Sequence, residues 1–215
     1  MRRLIPTTAL LAICALTTMA QTLSDDFDDG VFNTVAWMTN TAISTQAFNV
    51  RPDLVTIDES TGQLVFSESG AQTYYGMNAY VTNSFYDLRG KRISAKLSVV
   101  GGLDAWIAIG TDRFNMVQAY ISAGGTLMLT RSYRNNSNPL DYAYTQADAY
   151  IALRVSANGN TIFCESSPDG VNWTVRGSIK GHLPYISASQ VEIGGGGWRP
   201  AAGFFTATVD DFKIE

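Results

Sequence analysis

Between Tyr150 and Arg176 apolar and polar residues alternate with a period of two, broken only by two turn signals, and that pattern restricts the chain to strands. Tyr150-Ile151-Ala152-Leu153-Arg154-Val155-Ser156 alternates cleanly and ends at Asn158-Gly159. Successive side chains of a strand point to opposite faces, so such a run has one buried face. Asn-Gly suits a type I′ hairpin, in which both central residues take positive φ. The chain continues through Asn160 to Ser166, turns at Ser167-Pro168-Asp169-Gly170 and enters a further strand from Val171 to Arg176. Proline fixes its own φ there and glycine is free to be left-handed. The three strands read as a meander.

The same period governs what precedes them. In Arg92 to Val99 the apolar residues fall on odd positions. Asp104–Gly110, Phe114–Ser122 and Thr126–Tyr133 follow as β-rich runs, the last two joined by a hairpin at Gly124-Gly125. No stretch of eleven or more residues carries a helical period, and only a short turn is expected around Thr145 to Ala149. Strands recurring every 8 to 12 residues over this length imply a two-sheet sandwich or a barrel. No repeat or low-complexity linker divides the chain.

Residues 1–20 carry two arginines, an apolar run from about Leu10 to Leu16 and small residues ending at Ala20. That is the layout of a secretory signal peptide, with an apolar run too short to span a bilayer. The expectation is a cleaved leader over 1–20, a single domain over 21–215, and export to the extracellular space, periplasm or cell surface. Of 15 Lys and Arg, two leave with the leader, so 13 face 19 acids, a net charge of −6. No basic block remains to follow a phosphate backbone, and no later segment suits a membrane, so neither nucleic acid nor membrane insertion is expected. Cys14 leaves with the leader and Cys164 stays alone, a small buried hydrophobe in a strand. The core must hold the domain without a disulfide.

Three segments resemble the concanavalin A-like lectin/glucanase superfamily. Leu23-Ser24-Asp25-Asp26-Phe27-Asp28-Asp29-Gly30 followed by Trp37 resembles its opening strand; Asn158 through Trp173, with Ser167-Pro168-Asp169-Gly170, resembles its S-x-D-G-x-x-W turn; Val209 to Glu215 resembles its last strand, which pairs with the first. The middle segment looks most like the laminin G-like and β-xylosidase C-terminal-like branch. The resemblance implies an all-β, two-sheet antiparallel jelly roll. Glucanases of the superfamily carry E-x-D-x-x-E within one strand, and Glu59, Glu68, Glu165 and Glu192 do not match it.

Other chemistry is sparse. Retaining glycoside hydrolysis needs carboxyls about 5 to 5.5 Å apart, and Asp58-Glu59 and Asp210-Asp211 are adjacent, so each pair points to opposite faces. Glu165 and Asp169 are separated by a turn. His182 has no local triad pattern. Gly194 to Gly197 precede no helix and suit a bulge or close backbone approach. No catalytic residue is assigned.

Parity supplies the candidate binding residues. Ile107 and Ile109 need the core, so Trp106 faces outward beside Ala108 and Gly110, and Tyr120 does likewise against Val117, Ala119 and Ile121. An exposed aromatic flanked by small residues suits sugar stacking. Arg131, Tyr133 and Trp198 are placed at the rim; Trp37 and Trp173 are assigned to packing. A parity switch between Val209 and Phe212 implies a bulge at Asp210-Asp211. If the ends pair, Asp210 comes near Asp25 and Asp28, and the resemblance implies structural Ca²⁺ there. The reading is an exported, non-catalytic carbohydrate-recognition or adhesion module with a polysaccharide partner. The alternatives are a glycoside hydrolase whose acids come from separate strands and a cell-surface structural domain.

Overall fold

The computed structural model describes residues 22–39, 51–71, 76–112, 114–133, 136–142, 149–181, 183–197 and 202–215. The expected leader, most of the turn near Thr145, His182 and Trp198 lie outside them.

The described residues form fifteen strands, one 3-10 turn at Pro52–Leu54 and no α-helix. In chain order the strands are β1 (Leu23–Asp25), β2 (Trp37–Thr39), β3 (Val55–Asp58), β4 (Leu64–Ala71), β5 (Met77–Thr82), β6 (Arg92–Val100), β7 (Asp104–Asp112) and β8 (Asn115–Ile121). They continue with β9 (Leu127–Tyr133), β10 (Asn136–Tyr142), β11 (Tyr150–Val155), β12 (Thr161–Ser167), β13 (Thr174–Lys180), β14 (Gln190–Gly196) and β15 (Ala202–Ile214).

All pairing is antiparallel. One sheet runs β13-β12-β11-β6-β15-β4-β3, with β1 joined to the far half of β15; the other runs β10-β9-β8-β7-β14-β5-β2. The two pack as a sandwich, the expected jelly-roll architecture. Ile93, Ala95 and Leu97 of β6 meet Ala105, Ile107 and Ile109 of β7, with Val191 and Ile193 of β14 in the same core. Burying each large aliphatic contributes about 1.5–3 kcal/mol. Trp37 lies in this core, edge-on to Phe212 at 5.0 Å.

The first and last strands pair as expected, Leu23 opposite Ile214. The expected bulge is present too: the register of β15 on β6 shifts between Asp210 and Lys213, and Asp211 takes φ 49°. The extra residue returns Phe212 and Ile214 to the core after Ala207 and Val209.

Two local expectations differ. At Asn158-Gly159 only Gly159 has positive φ, so the turn is not type I′. Gly159 N–H instead closes on Ser156 O at 2.8 Å, and Asn158 Oδ1 accepts from Asn160 N–H and the Ser156 hydroxyl. The side-chain bonds of Asn158 hold a tighter turn with a single left-handed residue. The strand expected from Val171 starts at Thr174, because Asp169 Oδ1 caps the backbone N–H groups of Val171 and Asn172 and keeps them in the turn.

Candidate functional site

The outer face of the seven-stranded sheet carries most of the candidate residues. Ala105, Ile107 and Ile109 point inward, so Asp104, Trp106 and Ala108 point outward. The register then sets two rows across the sheet. One row holds Met128, Tyr120, Trp106, Gly194 and Ala79; the next holds Thr130, Gln118, Ala108, Glu192 and Val81.

Trp106 faces away from the sandwich core as its parity required, but it is not exposed: its solvent exposure is 0%. It packs in a second apolar cluster with Met77, Ala79, Val81, Ala108 and Met116, against which Tyr120 and Met38 rest. Gly194 makes room for it, since a Cβ there would stand 2.3 Å from Trp106 Cζ2. The indole Nε1–H donates to Glu192 Oε1 at 2.6 Å. Glu192 is equally buried. Trp106 is therefore a packed, hydrogen-bonded member of this face and not an open stacking platform.

Tyr120 is half-buried in the neighbouring register position, as are Met128 and Thr130 beyond it. The accessible part of the face thus lies over β8 and β9. Gln118, which the sequence reading passed over, and Glu192, named there only as outside the glucanase motif, are both buried and flank Ala108. Their signal was the same alternation: Gln118 between Val117 and Ala119, Glu192 between Val191 and Ile193.

The rim assignments fare differently. Arg131 lies opposite Val117 in register, on the inward parity of β9, and its Nη1 reaches Lys180 O of the other sheet at 3.5 Å. It is therefore not beside Trp106; a long guanidinium can occupy an inward position at a strand end by extending to a carbonyl. Tyr133 pairs with Asn115 and shares the backbone parity of Arg131. Trp198 falls outside the described residues.

The acids separate into different settings. Asp25 has both oxygens engaged, Oδ1 by Phe27 N–H at 3.0 Å and Oδ2 by Trp37 Nε1–H at 2.8 Å. Asp28 Oδ1 lies beside Gly62, 3.1 Å from where a Cβ would stand. Asp210 accepts from Asp211 N–H and lies 3.7 Å from Lys96 Nζ. Burial pushes the Asp210 carboxyl above the usual range, opposed by the Asp211 N–H and the Lys96 ammonium and aided by the charges of Asp211 and Asp28. Among the described residues no three acidic, histidine or cysteine side chains converge into a group able to hold a metal ion.

Glu165 and Asp169 do not approach as a pair. Glu165 is buried on the eight-stranded sheet and accepts from Arg154 Nε at 2.6 Å and Arg92 Nε at 3.1 Å, whereas Asp169 serves its turn. The two guanidiniums also stack, Arg92 over Trp173 at 5.0 Å and Arg154 over Phe163 at 4.2 Å. Cys164 is buried, and burial raises its thiol to about 12, which suppresses nucleophilicity at neutral pH.

No protein-family model matches the chain, and no curated protein sequence matches it significantly. Solved structures do. A β-glucanase of Bacillus licheniformis superposes with a TM-score of 0.64 at 12% identity, over 91% of this chain and 98% of the other. A non-specific endo-β-1,3(4)-glucanase of family GH16 gives 0.65 at 14%, over 91% of each. A β-1,3-glucanase of Mycobacterium marinum gives 0.65 at 11%, over 90% and 97%. At this identity the likeness is one of fold, the concanavalin A-like jelly roll. It is a likeness to the glucanases, and nothing in it singles out the laminin G-like or β-xylosidase C-terminal-like branch.

Proposed function

We propose that this protein is directed at a polysaccharide of the β-glucan class, seated on the outer face of the seven-stranded sheet where Tyr120 is accessible. The observation that carries this reading is the match over nine-tenths of the chain to several glucanases. Tyr120 supplies a flat apolar surface, and the half-buried Thr130 in the next register row supplies an orienting hydroxyl. Those neighbours support glycoside hydrolysis as the activity. Its acids would come from separate strands; the buried carboxylates of this face are Glu192 of β14 and Asp104 of β7.

A specific observation favours recognition without cleavage. Glu192 is opposite Ala108, four residues along β7 from Asp104, a separation of about 14 Å at strand rise. Paired glycosidase carboxyls stand about 5 to 9.5 Å apart. Glu192 is also occupied by the Trp106 indole, and Asp104 Oδ1 accepts from Ala123 N–H at 2.7 Å.

One experiment addresses both readings. Laminarin and lichenan are incubated with the protein, and reducing ends and co-sedimentation are measured. Release of reducing ends that disappears in Glu192→Gln assigns hydrolysis. Retention without release, weakened in Tyr120→Ala, assigns recognition. Neither release nor retention removes the proposal.

A further inference from the structure

A second cleft lies away from that face, where the eight-stranded sheet splits. β11 pairs with β6 only as far as Tyr150 opposite Lys96, and Leu97 N–H to Ala149 O closes the ladder. β6 runs on to Val100 beside β15. Among the described strands no other borders that last stretch of β6. Facing it from the other sheet is the tip of the β8–β9 hairpin, closed by Gly125 N–H to Ser122 O and anchored by the bond from Ala123 to Asp104. The cleft at this open edge, half exposed to solvent and lined by both faces of β6, has a volume of about 820 Å³, within the usual range for ligand sites.

Its chemistry is specific. Lys96, Asp210, Ser98, Thr208 and Gln63 line the cleft, with Leu97 and Ile121 supplying apolar wall. Lys96 Nζ and Asp210 Oδ2 stand 3.7 Å apart, longer than a close hydrogen bond, so each keeps capacity for another group. The bulge sets this up. Asp211 is turned aside at positive φ and accepts from the Tyr150 hydroxyl at 2.5 Å, while Asp210 stays with Lys96.

One ammonium and one carboxylate leave the site without net charge, so an anion would meet Asp210 and a cation would meet Lys96. Hydroxyl groups suit it best, because each both donates and accepts: the carboxylate takes their protons, the ammonium meets their oxygens, and Ser98, Thr208 and Gln63 do either. We propose that this cleft is a binding site for a neutral, polyhydroxylated ligand, a short oligosaccharide, separate from the sheet face over Tyr120. The inference takes from the polysaccharide reading only the choice of sugar as probe.

The test is calorimetric titration of the full chain with laminaritriose, comparing Lys96→Met and Ser98→Ile with Tyr120→Ala. Ser98 is exposed in a strand, so a β-branched replacement there narrows the cleft without disturbing the core. The expected result is saturable binding that persists in Tyr120→Ala and, in that background, is weakened about tenfold or more by adding either cleft substitution, with melting temperatures near the parent's. Binding that persists in Tyr120→Ala and resists both cleft substitutions overturns the inference. So does binding lost only in Tyr120→Ala, a result that leaves the polysaccharide reading standing. No binding of the trisaccharide overturns the cleft site, while laminarin retention is judged separately.

Discussion

Trp106 and Glu192, 86 residues apart in sequence, meet through a 2.6 Å hydrogen bond on the buried middle of the seven-stranded sheet. The indole lies over Gly194 and its N–H ends on the carboxylate two residues earlier on the same neighbouring strand.

Trp106→Ala is expected to lower stability by about 3–5 kcal/mol, the cost of emptying a large buried site. Trp106→Phe keeps most of the volume but removes the donor, and about 1–3 kcal/mol should be lost. Urea denaturation of both variants separates packing from the hydrogen bond. A near-parent midpoint for Trp106→Ala would return the residue to the exposed setting its sequence suggested.

Gly194→Ala places a methyl group 2.3 Å from the indole ring, closer than such contacts occur. The ring must shift within a closed cluster, so a loss of about 1–3 kcal/mol is expected in the same measurement. Pairing it with Trp106→Phe should give a non-additive double-mutant cycle, since the two sites touch.

Glu68 is buried with neither carboxylate oxygen hydrogen-bonded, opposite Val55 and Phe205 and facing Gly76. Burial raises its proton affinity above the ordinary value. The folded state then holds the proton more tightly than the unfolded state. The stability this contributes is complete below the usual carboxyl range and is lost as pH rises through the raised folded-state value. Glu68→Gln should therefore stabilise the protein at pH 7 relative to the parent and flatten the fall in melting temperature between mildly acidic and neutral pH. Glu59, also raised chiefly by burial, acts in the same direction, so the flattening will be partial.

Glu165→Ala leaves Arg92 and Arg154 without their shared acceptor on the outer side of the eight-stranded sheet. Removing one partner of a buried ion pair costs about 3–5 kcal/mol, and the partial exposure of both guanidiniums puts the expected loss at or below the lower end. Thermal unfolding at low and high salt gives the check: the loss should shrink little with salt, because the carboxylate itself is buried.

Where a residue's surroundings are local, the sequence was a sound guide. Ile93, Ala95 and Leu97 face the core as their alternation required, and the change of parity between Val209 and Phe212 located the bulge at Asp211. Parity also put Trp106 on the correct side of its sheet. Its burial could not be foreseen, because that depends on Gly194 and Glu192 reaching it through sheet pairing. Arg131 shows the converse: it was placed at the rim although it continues the inward parity of Leu127 and Leu129. Asp25 read as one acid of a cluster, and its bond to the Trp37 indole, twelve residues on, had no local signal.

The position of β15 bears on how the chain reaches this structure. It separates β6 from β4 in the middle of its sheet and also receives β1, so strands from near residues 24, 67 and 96 all depend on a segment more than a hundred residues later. Until that segment arrives the sheet exists only as two fragments, β3 with β4 and β6 with β11 to β13, each with an open edge. High contact order of this kind slows folding and leaves pairing edges available to other chains. Refolding should therefore be slow and concentration-sensitive, with yield governed by how soon the segment around Ala207 and Val209 docks between the two fragments.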